Sequence, residues 1–244
     1  MQPLYIQIYN IWNVYNQQEQ NNIYWFLLYI YLLRRLKRRF SEGNYQEKRG
    51  RLTPKQERIL YREFERELNK DSEKIQQYIE KHLKDTYIKT WDATRKNLDS
   101  NTPLPSYKEI YEDINKVWVG KKNFKQRQQH NTNIIKKKLK KILQDERLTI
   151  EEKNKLAKKV LTQFEHMVKR LVRTETIHTI GQASIRCMRE NNISEVIWIT
   201  CMDERTCKIC GARDRQVYPI DMIPQYPDHP NCRCLLIPYK RGVN

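Results

Sequence analysis

Apolar residues recur at helical spacing through most of the chain, punctuated by short capping signals. Thr53-Pro54-Lys55-Gln56 opens one helix, with Thr53 as cap, Pro54 at the first helical position and Gln56 placed to complete a capping box. Ile59, Leu60, Phe64 and Leu68 follow on one face, and a second amphipathic stretch carries Ile75, Tyr78, Ile79 and Leu83. Prolines at 103 and 105 break the pattern. Ser106-x-x-Glu109 is another capping box, starting a helix that Gly120 is expected to end. From Asn123 to Gln144 the spacing predicts helix in the second half, with Ile134, Ile135, Leu139, Ile142 and Leu143 on one side and lysines on the other. Thr149-x-x-Glu152 caps the next helix, whose Leu156, Val160, Phe164, Met167, Val168 and Leu171 make a continuous stripe, read as ordinary core.

From residue 195 the period changes. Val196 to Thr200 is β-branched and aromatic, as a buried strand would be, and residues 216–218 and 235–237 are shorter candidates. Three short strands make a small antiparallel sheet that buries little by itself and needs a staple. The N-terminal end reads differently. Residues 1–22 are rich in Tyr, Asn and Gln and are expected to form a poorly ordered arm. Residues 23–33 form an apolar run, too short for a bilayer span and better suited to burial or partner docking. A basic cluster at 34–39 follows, then a polar linker from Ser41 to Gly50. The expected organisation is an arm with apolar helix and basic cluster over 1–50, a basic helical region over 51–145, and a C-terminal domain over 146–244.

Composition reinforces the helical reading. Only 39% of the 244 residues are hydrophobic, 31% are charged and six are glycine, a balance that leans toward helix. The net charge of +18 is uneven, with Arg34, Arg35, Lys37, Arg38 and Arg39 in one cluster and Lys136, Lys137, Lys138, Lys140 and Lys141 in another. Such a field attracts polyanions, so nucleic acid is an expected neighbour. No helix-turn-helix or RNA-binding signature accompanies it, so contact is expected with the backbone rather than with bases.

The six cysteines all fall between 187 and 234, unlike an evenly stapled secreted scaffold. The N-terminus lacks a basic region and a small-residue cleavage site, so a reduced, intracellular setting is expected. Cys207-x-x-Cys210 places two thiols on one turn, the usual first half of a tetrahedral zinc site. After eighteen intervening residues, His229-Pro-Asn-Cys232-Arg-Cys234 offers a second pair. Five candidate donors exist for four positions. Cys232 is favoured as the fourth ligand because three residues from His229 suits a knuckle, with Cys234 as the alternative. Cys187 and Cys201 are read as core. The expected fold is therefore α+β: a mostly helical N-terminal part, then a C-terminal helix and small antiparallel sheet stapled by structural Zn2+.

Two catalytic readings meet obstacles. A zinc deaminase needs His-x-Glu ahead of Pro-Cys-x-x-Cys, whereas Thr206 precedes Cys207 and His178 is followed by Thr179 and Ile180. A ββα-type metal nuclease is the better rival, since Asp228-His229-Pro230 beyond a C-x-x-C resembles its catalytic start. Such an enzyme needs a further ligand downstream, and no His, Asp or Glu follows His229.

One set of residues resembles a known family. Arg170-Leu-Val-Arg173-Thr-Glu175-x-x-His178, Trp198, Asp203-x-Arg205-Thr-Cys207-x-x-Cys210, the Tyr218-Pro219 pair and His229-Pro-x-Cys232-Arg-Cys234 closing on Pro238 resemble the phage minor head (head morphogenesis) family named after protein F of phage Mu. The likeness covers roughly residues 145–240. It implies a non-enzymatic protein of the virion, present in host cytoplasm during assembly. Its implied partners are the portal protein, capsid components and double-stranded DNA bound without sequence preference. It also implies a structural polar cluster: Arg173, Glu175 and His178 on a helix bridging to the knuckle, and Asp203 capping the turn that holds Cys207.

Overall fold

The computed structural model describes residues 1–18 and 53–240. The apolar run 23–33, the basic cluster 34–39 and the linker 41–50 lie outside the described residues. The described elements are helix α1 over 4–18, α2 (Pro54–Asn97), α3 (Tyr107–Asn115), α4 (Phe124–Leu143), α5 (Ile150–Glu190), β1 (Glu195–Ile199), α6 (Lys208–Arg213), β2 (Val217–Pro219) and β3 (Leu235–Tyr239). The protein is mostly helical with one small antiparallel sheet, the expected α+β class. No helix among the described residues is long and apolar enough to cross a membrane.

The chain divides into two compact units interleaved along the sequence. Unit 1 comprises Met1–Asn21, Ile79–Trp118 and Val172–Asn244, and unit 2 comprises Asn22–Tyr78 and Val119–Leu171. Helices α2 and α5 each contribute one part to each unit.

Unit 2 packs the first part of α2, all of α4 and the first part of α5. Phe64 and Leu68 meet Ile135, Leu139, Ala157, Val160, Leu161 and Phe164 in a single apolar core. The capping boxes at Thr53/Gln56 and Thr149/Glu152 form as expected, each satisfying two backbone donors. A buried ion pair joins Lys153 of α5 to Glu57 of α2, and the same ammonium donates to the Leu143 carbonyl at 2.8 Å. The α4 C-terminus thus receives a cation from the helix that follows it. Helix α4 is longer than its apolar pattern suggested. An Asn123/Gln126 capping box starts it, and its first half buries Gln128 and Thr132 rather than aliphatic side chains. Ser72 of α2 meets Thr132 at 2.8 Å across that polar stretch.

Unit 1 centres on the sheet. β1 lies between β2 and β3, antiparallel to both, in the register Val196↔Tyr218 on one side and Ile197↔Ile237 on the other. The sheet packs in one cluster with Ile177, Ile180 and Met188 of α5 and with Ile11 and Tyr15 of α1. The first eighteen residues are therefore not a loose arm. Ile11, Val14 and Tyr15 are buried, with Leu4, Ile8 and Trp12 packed alongside, a helical stripe hidden among Asn, Gln and Tyr. Helix α3 also departs from expectation, stopping at Asn115 with Lys116 as its C-cap. Gly120 lies beyond it in a turn, at φ 63°.

A polar seam joins the second parts of α2 and α5. His82 meets Thr176 at 2.9 Å and Thr94 meets Ser184 at 3.1 Å. Burial pushes the His82 imidazole down to about 4, so it stays neutral there. At Gly181 of α5 the Tyr226 ring comes so close that a Cβ would sit 2.2 Å from it, which is why this helix position holds glycine.

Candidate metal centre

Short loops bring the cysteines together at the end of the sheet. Cys207 is the N-cap of α6, its Sγ accepting from the Cys210 amide at 3.3 Å. That amide bond holds the Cys207 thiol below its usual value. The second half of the site is a turn in which Cys232 N donates to the His229 carbonyl at 3.2 Å. Asn231 makes the turn possible by taking φ 61°, a left-handed conformation Asn tolerates. Its amide is anchored to Thr174 Oγ1 of α5 at 3.2 Å.

Two overlapping donor triads result. Cys207, Cys210 and His229 form one, and Cys210, Cys232 and Cys234 the other, with the donor atoms of each triad within 4.8 Å of one another. Cys210 belongs to both. His229 Nε2 lies 3.2 Å from Cys210 Sγ, while Nδ1 lies 2.9 Å from the Pro230 carbonyl. The carbonyl accepts the Nδ1 proton, which leaves the Nε2 lone pair facing the thiols. Cys210 Sγ and Cys232 Sγ are 3.9 Å apart, close to the roughly 3.8 Å separating two sulfurs on one tetrahedral zinc. Cys234 instead shares the wall of a small cavity with Cys207, Cys210 and His229. Burial raises the Cys210 thiol to about 12. The thiol of Cys234 hydrogen-bonds Cys232 and favours its thiolate, so Cys232 is held low and Cys234 high. The donors thus suit a thiophilic ion in chemistry, and each triad is close enough in space to hold one.

A frame of ion pairs surrounds the donors. Arg233, between Cys232 and Cys234, makes a two-pronged bond to Asp203 at 2.7 and 2.6 Å, tying the second half of the site to the turn before Cys207. Asp203 also accepts from the Arg205 amide at 3.1 Å, and its backbone carbonyl from the Thr206 amide at 2.9 Å. Arg233 holds the Asp203 carboxyl down at about 2. Arg213 of α6 pairs with Asp228 at 2.8 Å and lies over the Trp198 ring.

The residues of the expected polar cluster are distributed as follows. Glu175 accepts from Trp118 Nε1 at 3.0 Å, and His178 stacks on the same indole with centroids 4.3 Å apart. Asp203 lies on the turn leading into Cys207, where its carboxylate accepts from the Arg205 amide. Arg173 is exposed on α5. Thr174 and Trp118 carry no signal of their own in the sequence: Thr174 is one of several threonines on α5, and Trp118 lies 57 residues from Glu175. Cys187 is fully buried, but Cys201 is not core. It is half-buried beside the donors, with Sγ 3.6 Å from the Arg233 carbonyl and exposure to the same cavity.

The family described as phage Mu protein F like protein matches residues 60–237, nearly three-quarters of the chain, including the whole donor site and the sheet up to Ile237 of β3. The chain belongs to this phage Mu F-like family. It is a phage head-related protein. Comparison with curated proteins and with solved structures gives no match. In this Mu F-like protein the Cys/His donors lie within the matched segment, together with α5 and the sheet they adjoin.

Proposed function

We propose that the protein is a structural component of a phage head, acting in procapsid assembly beside the portal and meeting the packaged DNA. Membership of the Mu F-like family carries this reading, and the chain's surplus of basic residues supports the DNA contact. Within it, one zinc ion is held by Cys207, Cys210, His229 and Cys232, the last chosen on its 3.9 Å separation from Cys210. A closed four-ligand site of this kind supplies folding energy rather than an open coordination position. Cys234 is then the spare thiol.

The nuclease reading lacks support in the geometry. Its general base, His229, points Nε2 at Cys210, and Asp228 is engaged by Arg213. The test is assembly. Expressed with portal and capsid proteins, the chain should co-purify with procapsids and with the portal ring, and bind duplex DNA in a salt-sensitive manner. Failure to co-purify with either structure would refute the assembly role. Plasmid nicking that needs divalent metal and is lost in His229→Ala would instead revive the enzyme.

A further inference from the structure

The surplus charge is not spread over the fold. Residues 119–171 hold sixteen Lys and Arg against five Asp and Glu, a surplus of eleven in a chain whose total is +18. Residues 54–78, in the same unit, hold six of each. Helix α4 has no acidic residue at all, and neither has the stretch 153–164 of α5.

Solvation does not call for such an imbalance. The α2 portion of unit 2 shows that an exposed helix face in this protein can be built from matched charges. The lysine run also works against its own helix, because like charges one turn apart, such as Lys137 and Lys141, repel.

The exposed lysines of the two helices share a face. Lys138 Nζ donates to Gln163 Oε1 at 2.8 Å. Gln163 lies one turn on from Lys159, so the exposed side chains of Lys138 and Lys159 are neighbours across the α4/α5 seam. Lys137 and Lys141 extend the face along α4, and Lys155 along α5; all are exposed. The acids of the segment are mostly occupied elsewhere: Asp145 with Arg147, Glu152 in its capping box and Glu165 with Lys169.

What is missing from this face identifies the partner. The exposed large hydrophobic side chains of the described residues include none between 120 and 171. An anionic membrane is gripped by a basic face with apolar residues beside it, and single-stranded nucleic acid by exposed aromatic platforms. Phe124 and Phe164, the aromatic residues here, are buried. A basic, non-aromatic, non-apolar surface fits the backbone of a duplex.

We infer that the α4/α5 face, centred on Lys137, Lys138, Lys141, Lys155 and Lys159, is the surface on which this protein binds double-stranded DNA without reading its sequence. The inference rests on the reading that the protein meets packaged DNA, and adds which surface does so.

The experiment measures anisotropy of a labelled mixed-sequence duplex across a salt series, using the full chain. Two five-site variants remove equal charge: Lys137, Lys138, Lys141, Lys155 and Lys159→Gln on the α4/α5 face, and Lys55, Arg58, Arg62, Lys70 and Lys74→Gln on α2. The first should lose at least about tenfold in affinity at moderate salt, and its salt slope should fall by about 0.9 for each phosphate contact removed. The second should stay within about threefold of the parent, and Lys→Arg at the first five sites should restore binding. Equal losses in both variants would overturn the assignment while leaving DNA contact intact, as would loss of the first variant's fold by circular dichroism without rescue by arginine. No binding by the parent chain would instead overturn the DNA reading itself. Tighter binding to single strands or to anionic vesicles through the same five lysines would replace the duplex as partner.

Discussion

Charged residues are used in opposite ways at the sheet of unit 1 and on the α4/α5 hairpin of unit 2. Around the sheet, arginines are matched within the fold: Arg213 with Asp228, Arg233 with Asp203, Arg189 with Asp221, and Arg186 with Glu109, Asp113 and Glu190. Most of these pairs join segments far apart in sequence, and the Arg233–Asp203 pair ties together the two loops that carry the donors. On the hairpin, lysines outnumber acids about threefold, and the apolar core beneath them is already complete. Charge around the small sheet is matched within the fold, whereas the surplus on the hairpin is the surface proposed above for duplex DNA.

The same contrast separates how the two regions are stabilised. A three-stranded sheet of five-, three- and five-residue strands is marginal alone. It leans on α5 and on the donor cluster. Unit 2 packs an apolar core and contains the deeply buried Lys153–Glu57 ion pair, and it holds no cysteine, because all six lie in unit 1.

The largest effect is expected from Cys210→Ser, which removes the donor common to both triads. Structural zinc contributes on the order of 10 kcal/mol in small metal modules, so this change should unfold the sheet region rather than shift its midpoint. Tryptophan emission checks it, because the four described tryptophans, Trp12, Trp91, Trp118 and Trp198, all lie in unit 1. Cys232→Ser should approach the same outcome and Cys234→Ser should keep the metal; the reverse order would make Cys234 the fourth ligand.

In unit 2 the most sensitive point is the buried ion pair between Lys153 and Glu57. Lys153→Ala leaves Glu57 buried without its cation and should cost about 3–5 kcal/mol, read as a lower urea midpoint. The double change Lys153→Met with Glu57→Leu should recover most of that loss. A double variant as unstable as the single one would show that the pair does more than neutralise itself.

Acid should weaken unit 1 through His82. Its imidazole is held down to about 4 in the fold against 6.5 when free. Between those values the unfolded chain binds a proton the folded chain does not, so stability falls as pH drops through that window. The full loss is about 3 kcal/mol. Urea midpoints across the window should slope in the parent and flatten in His82→Gln. Gly181→Ala should have the smallest effect, about 1–3 kcal/mol, because the new methyl meets the Tyr226 ring and must displace it. A neutral or stabilising Gly181→Ala would mean that the ring gives way at no cost.

What could be read in advance follows the range of the interactions involved. The capping boxes at Thr53, Ser106 and Thr149 are decided within four residues, and all three form. The strands announced themselves by β-branched composition, and the donors by spacing. The start of α4 and all of α1 escaped because polar residues interrupt their inward positions: Gln128 and Thr132 beside Phe124 in one, Gln7 and Gln18 beside Ile11, Val14 and Tyr15 in the other. A hydrophobic period cannot register a buried glutamine. The partnerships of Trp118 with Glu175 and of Asp203 with Arg233 span 57 and 30 residues and leave no local trace. The arginine lodged between Cys232 and Cys234 was the one available hint.

That a metal ion closes the cysteine–histidine cluster and holds the sheet is tested most directly by elemental analysis of the full chain, purified without added metal or chelator. The expected result is one zinc per chain, falling to none in Cys210→Ser together with loss of the Trp198 environment. A metal-free protein whose sheet and thermal midpoint are intact would contradict it.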